Sequence, residues 1–212
     1  MVIPTKDEMY AALKSRHGSE IQKKISETTV AVCGLGGLGS NIAISLSRLG
    51  IGKLILIDFD SVDLKNLNRQ QYAIKHIGMY KTEAMKEILT EIMPYTKLEI
   101  HTIRLSETNV SELISEADII CEAFDTAENK AVLVNAVLEM FPTKYIVSAS
   151  GLAGLGPSNV IHTRKITNNF YICGDGESDV SEYGTLYATR AMLCAAHQAH
   201  TVLRIIAGEF NT

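Results

Sequence analysis

Paired cysteines, proline, excess basic charge and long apolar runs are all scarce or missing in this 212-residue chain. The four cysteines (Cys33, Cys121, Cys173 and Cys194) are scattered, with no C-x-x-C pair. That spacing excludes the disulfide framework of a small secreted domain and reads as reduced thiols. No apolar run approaches the ~18 residues of a membrane span. The first ten residues lack the charged start and apolar stretch of a secretion signal. A soluble, cytoplasmic protein without membrane partners is expected. The formal net charge of −4 gives the whole chain no bulk attraction for nucleic acid or anionic lipid, so any basic site must be local. There are only four prolines, and no repeat or low-complexity tract appears. With 46% hydrophobic and 21% charged residues, disorder, collagen and coiled coil are poor descriptions. The length suits one domain spanning 1–212.

What is present is an alternation of short apolar runs with helical stretches, the pattern of an α/β domain with a mainly parallel sheet and helices on both faces. Residues 7–25 read as an amphipathic helix broken at Gly18. Strands are expected at 29–33, 53–58, 98–103, 118–123 and 145–149, with helices at 40–49, 79–92 and 127–138. After Gly151 the texture changes, and 159–163 and 169–173 read as strands of an antiparallel C-terminal edge. Residues 174–184 are acidic, small and unpatterned, which predicts a mobile loop. A long helix over 185–207 closes the chain.

The chemistry starts at Gly34-Leu-Gly36-Gly37-Leu-Gly39, which follows a strand and opens a helix. Glycines there permit a tight turn and close backbone approach to phosphates, and the helix start supplies free N–H groups. Asp58, 19 residues beyond Gly39 at the end of the second strand, is placed to accept hydrogen bonds from ribose hydroxyls. This much predicts a dinucleotide site. The next residues, from Asp60 through Asn66, Asn68, Arg69 and Gln70, add amide and guanidinium donors suited to a triphosphate. Lys81 follows at the start of a helix. Asp125 stands just past the fourth strand, so Asp58 and Asp125 should face one crevice. A carboxylate there suits Mg²⁺ with nucleotide phosphates, although a lone aspartate before a helix serves equally as an N-cap. No G-x-x-x-x-G-K-[ST] loop is present.

Together these elements resemble the adenylating family that includes ThiF, MoeB and the ubiquitin-activating enzymes. The matching pieces are Gly34–Gly39, Leu56-Ile-Asp58-Phe-Asp60, Asn66-Leu-Asn-Arg69-Gln70, Ile77-Gly-Met-Tyr-Lys81 and Phe124-Asp125, in family order over about residues 16–160. The compact length is most similar to the short ThiF-like branch of thiamine biosynthesis. The resemblance implies a Rossmann-like nucleotide-binding half over about 26–150 and a carrier-binding half over about 151–212. It implies ATP and Mg²⁺ as cofactors, and as substrate a β-grasp sulfur carrier ending in Gly-Gly. The carrier carboxylate would attack the α-phosphate and release pyrophosphate. That carboxylate is already ionised at neutral pH, with a reference pKa of ~3.5, so the attack needs positioning and charge neutralisation rather than a base.

Carried over by position, Asp58 would hold ribose, Asn66, Arg69, Gln70 and Lys81 the phosphates, and Asp125 the Mg²⁺. Arg16 would reach the neighbouring subunit's ATP in a homodimer. The two C-x-x-C pairs that hold zinc in many relatives are absent, and Cys194, His197 and His200 sit on poorly matched helix faces, so no zinc is expected. Cys173 is the nearest match to a sulfur-handling cysteine, for which a sulfur-donor protein would be needed; a buried structural cysteine is the commoner outcome there. Competing readings are an adenylating enzyme for a molybdopterin carrier, a small molecule or tRNA, an NAD-dependent oxidoreductase, and a non-catalytic carrier-binding subunit. The acidic chain, without a basic tail, speaks against nucleic acid.

Overall fold

The computed structural model describes residues 3–211. Its centre is one seven-stranded sheet in the order β3-β2-β1-β4-β5-β7-β6. The strands are β1 (Thr29–Cys33), β2 (Lys53–Ile57), β3 (Lys97–His101), β4 (Ile119–Glu122), β5 (Tyr145–Ala149), β6 (His162–Lys165) and β7 (Phe170–Gly174). Every pairing is parallel except β6 with β7, which closes the edge antiparallel. This is a Rossmann-like α/β fold with an antiparallel C-terminal edge.

The central strands β1, β2, β4 and β5 read as near-continuous apolar runs because both sheet faces are covered there. Val30, Val32, Leu54 and Leu56 pack on one face with α2 (Ser19–Glu27), α3 (Gly39–Arg48), α4 (Lys81–Ile92) and the long α8 (Ala188–Ala207). Ala31, Cys33, Ile55, Ile57 and Ile120 pack on the other with α5 (Val110–Leu113) and α6 (Ala127–Met140). The two sets are the alternating positions of the same strands. Outside this frame lie α1 (Lys6–His17), which carries a Thr5–Glu8 capping box and buries no residue, and the short α7 (Val180–Tyr183).

Strand order reverses between β1 and β4, and in sheets of this kind the ligand crevice opens there, beyond the carboxyl ends of the strands. The glycine loop leaves β1, and Asp125 follows β4, so both flank the reversal.

Two expectations are corrected. The edge strand expected at 159–163 is displaced along the chain: Ser158–Val160 is a 3-10 turn, and the strand runs over His162–Lys165. Only Ile161 of that apolar pair is buried, and a turn satisfies one inward side chain without a ladder. The acidic stretch 174–184 is not an unpatterned loop. It contains α7, capped by Asp179. Asp175 is anchored as well, its Oδ1 accepting the N–H groups of Glu177 and Ser178 and its Oδ2 pairing with Arg190 at 2.5 Å. No helix among the described residues is long and apolar enough to cross a membrane.

Candidate nucleotide site

A cavity of about 620 Å³ opens at the strand-order reversal, within the range of small-molecule sites. One wall is the glycine loop. Gly34 turns the chain out of β1 at φ +93°, and a Cβ there would lie 2.8 Å from the Ala123 carbonyl oxygen. Gly36 and Gly37 line the cavity, whereas Gly39 does not. Gly39 serves packing, since a Cβ on it would fall 1.8 Å from the Gly34 oxygen.

Asp58 directly follows β2, beneath this loop. Its Oδ2 accepts the Leu35 N–H at 2.6 Å and its Oδ1 the Asp60 N–H at 2.8 Å. Each oxygen keeps a free lone pair for a hydroxyl at the cavity. Burial raises the Asp58 pKa, opposed by the Lys81 ammonium and the two amides. Lys81 is buried and held by Asp60 at 2.8 Å, with Asp58 at 3.9 Å. The Lys81 N–H also donates to the Asp60 carbonyl, so the start of α4 is tied to the end of β2 at both backbone and side chain.

Residues 60–80 form a polar excursion riveted onto the loop. Tyr72 donates its hydroxyl to the Leu35 carbonyl at 2.8 Å, and the Gln71 carboxamide donates to Asn41 at 2.6 Å. This docking lays Arg69 over the glycines: its Cγ lies 3.2 Å from where a Gly37 Cβ would stand. The Arg69 Nε is buried without a partner, and its Nη1 reaches only the Asn68 carboxamide. Orphaned donors beside a cradle open on its glycine side fit a phosphate.

Two of the sequence-picked residues lie below the cavity rather than in it. Asn66 accepts the Asp63 N–H and closes a capping box, and Gln70 is buried with its Nε2 3.8 Å from the Gly36 Cβ position. They support the loop that carries Arg69.

Across the cavity, Asp125 is exposed on its lining. The N-cap of α6 is Thr126, whose Oγ1 accepts from Asn129, so Asp125 is not spent on capping. A single carboxylate opposite phosphate donors fits Mg²⁺, which takes one or two carboxylates and completes its shell with phosphates and water. Among the described residues no group of three or more His, Cys, Asp or Glu side chains could hold a metal by itself.

Arg16 is exposed on α1 and does not line this cavity. Cys173 does not line it either. It is fully buried under α8, with the Thr163 hydroxyl at 3.5 Å and the Thr201 hydroxyl at 3.9 Å, and burial pushes its thiol pKa up despite those hydroxyls.

Sequence reasoning missed several lining groups. Arg104, just past β3, stacks its guanidinium 4.0 Å over the Phe59 ring at the cavity. Lys130 on α6 lines the floor and pairs with the fully buried Glu122. The far wall comes from Gly151, Leu152, Ser178, Val180 and Leu186. Arg190 buttresses it, bonding the carbonyls of Leu152 and Gly156 as well as Asp175. A carboxylate at the end of an apolar strand, as in Ile119-Ile-Cys-Glu122, was the available signal, because such a group requires a partner.

Known proteins share this architecture. Escherichia coli tRNA N6-threonylcarbamoyladenosine dehydratase TcdA, solved in complex with AMP and with ATP, superposes with a TM-score of 0.85 at 21% identity, covering 99% of each chain in the AMP complex. Adenylyltransferase and sulfurtransferase UBA4 of Scheffersomyces stipitis is 31% identical over 163 residues, 76% of this chain and 34% of its own length. The probable molybdopterin-synthase adenylyltransferase of Porphyra purpurea is 34% identical over 122 residues, 57% of this chain and 32% of its own. The chain thus spans about a third of the length of these two curated relatives. The ThiF family model matches residues 10–212, a span that includes the glycine loop, Asp58, Arg69, Lys81 and Asp125, and the chain belongs to the ThiF family.

Proposed function

We propose that the chain is an ATP-dependent adenylyltransferase. Its substrate would be the C-terminal glycine carboxylate of a small ubiquitin-like β-grasp sulfur carrier, in thiazole formation for thiamine. The observation that carries this reading is the convergence of Gly36, Gly37, Asp58, Arg69, Lys81 and Asp125 on one cavity at the strand-order reversal. A carboxylate oxygen forms a bond to the α-phosphorus, the bond to the bridging oxygen breaks, and pyrophosphate leaves.

Asp58 orients the ribose. The loop amides, Arg69 and Lys81 neutralise charge where it builds up, which is where fixed dipoles and cations lower a barrier most. Asp125 would hold Mg²⁺, which supplies charge neutralisation on the phosphates when bound. The substrate carboxylate arrives ionised, so the attack needs no general base. The carrier-binding half runs from about 151 to 212. Its Gly151–Ala153 and Ser178–Leu186 segments border the cavity and are its natural entrance for a flexible tail. A homodimer would bring Arg16 of each subunit toward the other's phosphates.

A second reading has one specific observation in its favour: the fold of TcdA, a tRNA-modifying enzyme by name, matches this chain end to end. The test for both is ATP–pyrophosphate exchange with Mg²⁺, with and without folded carriers ending in a free Gly-Gly carboxylate. Exchange that requires the intact tail supports the carrier reading. Exchange driven by tRNA or a small molecule, with none from the carriers, replaces it. Asp125→Ala should abolish metal-dependent exchange and leave carrier binding intact; normal turnover in that variant removes Asp125 from the scheme.

A further inference from the structure

The cavity floor holds an ion pair, with a fully buried carboxylate and a half-buried lysine, that the proposed reaction does not use. Glu122, the last residue of β4, has no exposed surface. Its carboxylate accepts the Phe124 N–H at 2.7 Å and the Lys130 ammonium at 3.0 and 2.9 Å, and the Ser148 hydroxyl donates to Oε2. Lys130 also donates to the Ala149 carbonyl at 3.1 Å. From α8, Gln198 donates to the carbonyls of Glu122 and Val147 at 2.9 and 3.1 Å.

The Lys130 ammonium is thus committed to the Glu122 carboxylate and the Ala149 carbonyl, and of its three donors at most one is left for the cavity. Burial alone does not account for the pair either, because an apolar pair of the same volume fills such a space at lower desolvation cost. What distinguishes the arrangement is what it joins. It locks the Phe124 amide, one residue before Asp125, to α6 and to the end of β5, where Ala149, Ser150 and Gly151 form the opposite lining.

Resting on the nucleotide reading above, we propose that Glu122 and Lys130 form a positioning pair. They fix the turn carrying Asp125 against the end of β5, so that the carboxylate meets the metal–phosphate unit already oriented. Groups that orient a metal ligand typically change metal affinity or activity by 10- to 100-fold when lost.

The experiment uses the full chain with both partners replaced by neutral groups of similar shape, Glu122→Gln with Lys130→Met, so that no unpaired charge stays buried. A fluorescent ATP analogue is titrated with and without Mg²⁺, beside thermal melts and pyrophosphate exchange. Nucleotide affinity without metal should match wild type, while the Mg²⁺ concentration for half-maximal binding rises about tenfold or more. Lys130→Arg alone, which keeps the charge and the pair, should raise that concentration less than the double variant does. A folded double variant with wild-type Mg²⁺ dependence overturns the proposal. If the double variant does not fold, Ser148→Ala removes one donor and should shift Mg²⁺ dependence in the same direction; no shift overturns the proposal. Failure of the wild-type chain to bind the nucleotide defeats the functional reading and this inference together, whereas failure confined to the variants defeats the inference alone.

Discussion

Alanine at Gly36 and at Gly39 separates the folding role of the loop from its ligand role. At Gly39 the added carbon would lie 1.8 Å from the Gly34 carbonyl oxygen and 2.8 Å from its carbon. The obstacle is backbone, so no rotamer relieves it, and the cost belongs at the upper end of overpacking, about 3 kcal/mol. Up to about 1 kcal/mol returns from alanine's helix propensity. A net loss of about 2–3 kcal/mol lowers Tm by about 4–12 °C in a chain of this size. At Gly36 the nearest protein atom is Gln70 Nε2 at 3.8 Å, and the backbone is not left-handed. Alanine there restricts the unfolded chain, worth about 0.4–1 kcal/mol in favour of the fold, so Tm should hold or rise slightly. The methyl group nevertheless enters the space assigned to phosphate. ATP affinity should fall about tenfold or more, which is about 1.4 kcal/mol. Differential scanning calorimetry and isothermal titration with MgATP read the two effects independently. Wild-type ATP affinity in a folded Gly36→Ala protein would refute the phosphate cradle, and a wild-type Tm in Gly39→Ala would refute the packing argument.

Lys81→Met keeps the stem but removes the ammonium from Asp58 and Asp60. Pyrophosphate exchange should drop about 10²- to 10³-fold, as for other single charge-stabilising donors, and an undiminished rate removes Lys81 from the phosphate site. Burial works to raise the Asp175 pKa, but the amides and hydroxyl of Ser178 and Glu177 together with Arg190 outweigh it, and the net shift is downward. Its contribution to stability is therefore complete above the ordinary carboxylate pKa of ~3.9 and is lost as pH falls through the lowered folded-state value. Asp175→Asn should be less stable than wild type at pH 7, with the gap narrowing below about pH 4; urea melts giving a pH-independent gap contradict this. Cys173→Ser should leave exchange unchanged, because the thiol is buried away from the cavity. Loss of carrier thiocarboxylate formation in a folded Cys173→Ser protein would instead give that sulfur a chemical role.

The parts legible in the sequence were those carried by short-range pattern. β1, β2, β4 and β5 announce themselves because a strand covered on both faces carries apolar residues in succession, as in Val30-Ala-Val-Cys33. The glycine loop, Asp58 and Asp125 follow from where ligands sit on parallel sheets. What was illegible depends on contacts distant in sequence. Arg190 reaches back to Gly156 and Asp175, so a segment whose composition predicts mobility is anchored by a helix that comes after it. Asn66 and Gln70 share Arg69's polar character and spacing. Only the docking of the excursion onto α3 decides that the arginine faces the cavity and the two amides turn beneath it.

The distribution of spare donors among the cations gives the cavity a direction. Lys130 and Arg190 are each paired with a carboxylate, Glu122 and Asp175, and also bond backbone carbonyls. Lys81 is shared between two carboxylates. Arg69 and Arg104 pair with no carboxylate among the described residues, one holding an orphaned Nε and the other resting on the Phe59 ring. The lining cations without a carboxylate partner, Arg69 and Arg104, therefore stand on the wall formed by the glycine loop and the segments after β2 and β3, the side better suited to a triphosphate. The wall opposite offers Leu152, Val180 and Leu186, and its Asp179 is occupied in capping α7. Under the proposed reaction this asymmetry separates the two substrates: the nucleotide lies along the charged wall, and an extended peptide tail crosses the apolar one. Their reacting atoms would then meet beside Asp125, which alone among the described lining carboxylates neither caps a helix nor pairs with a cation.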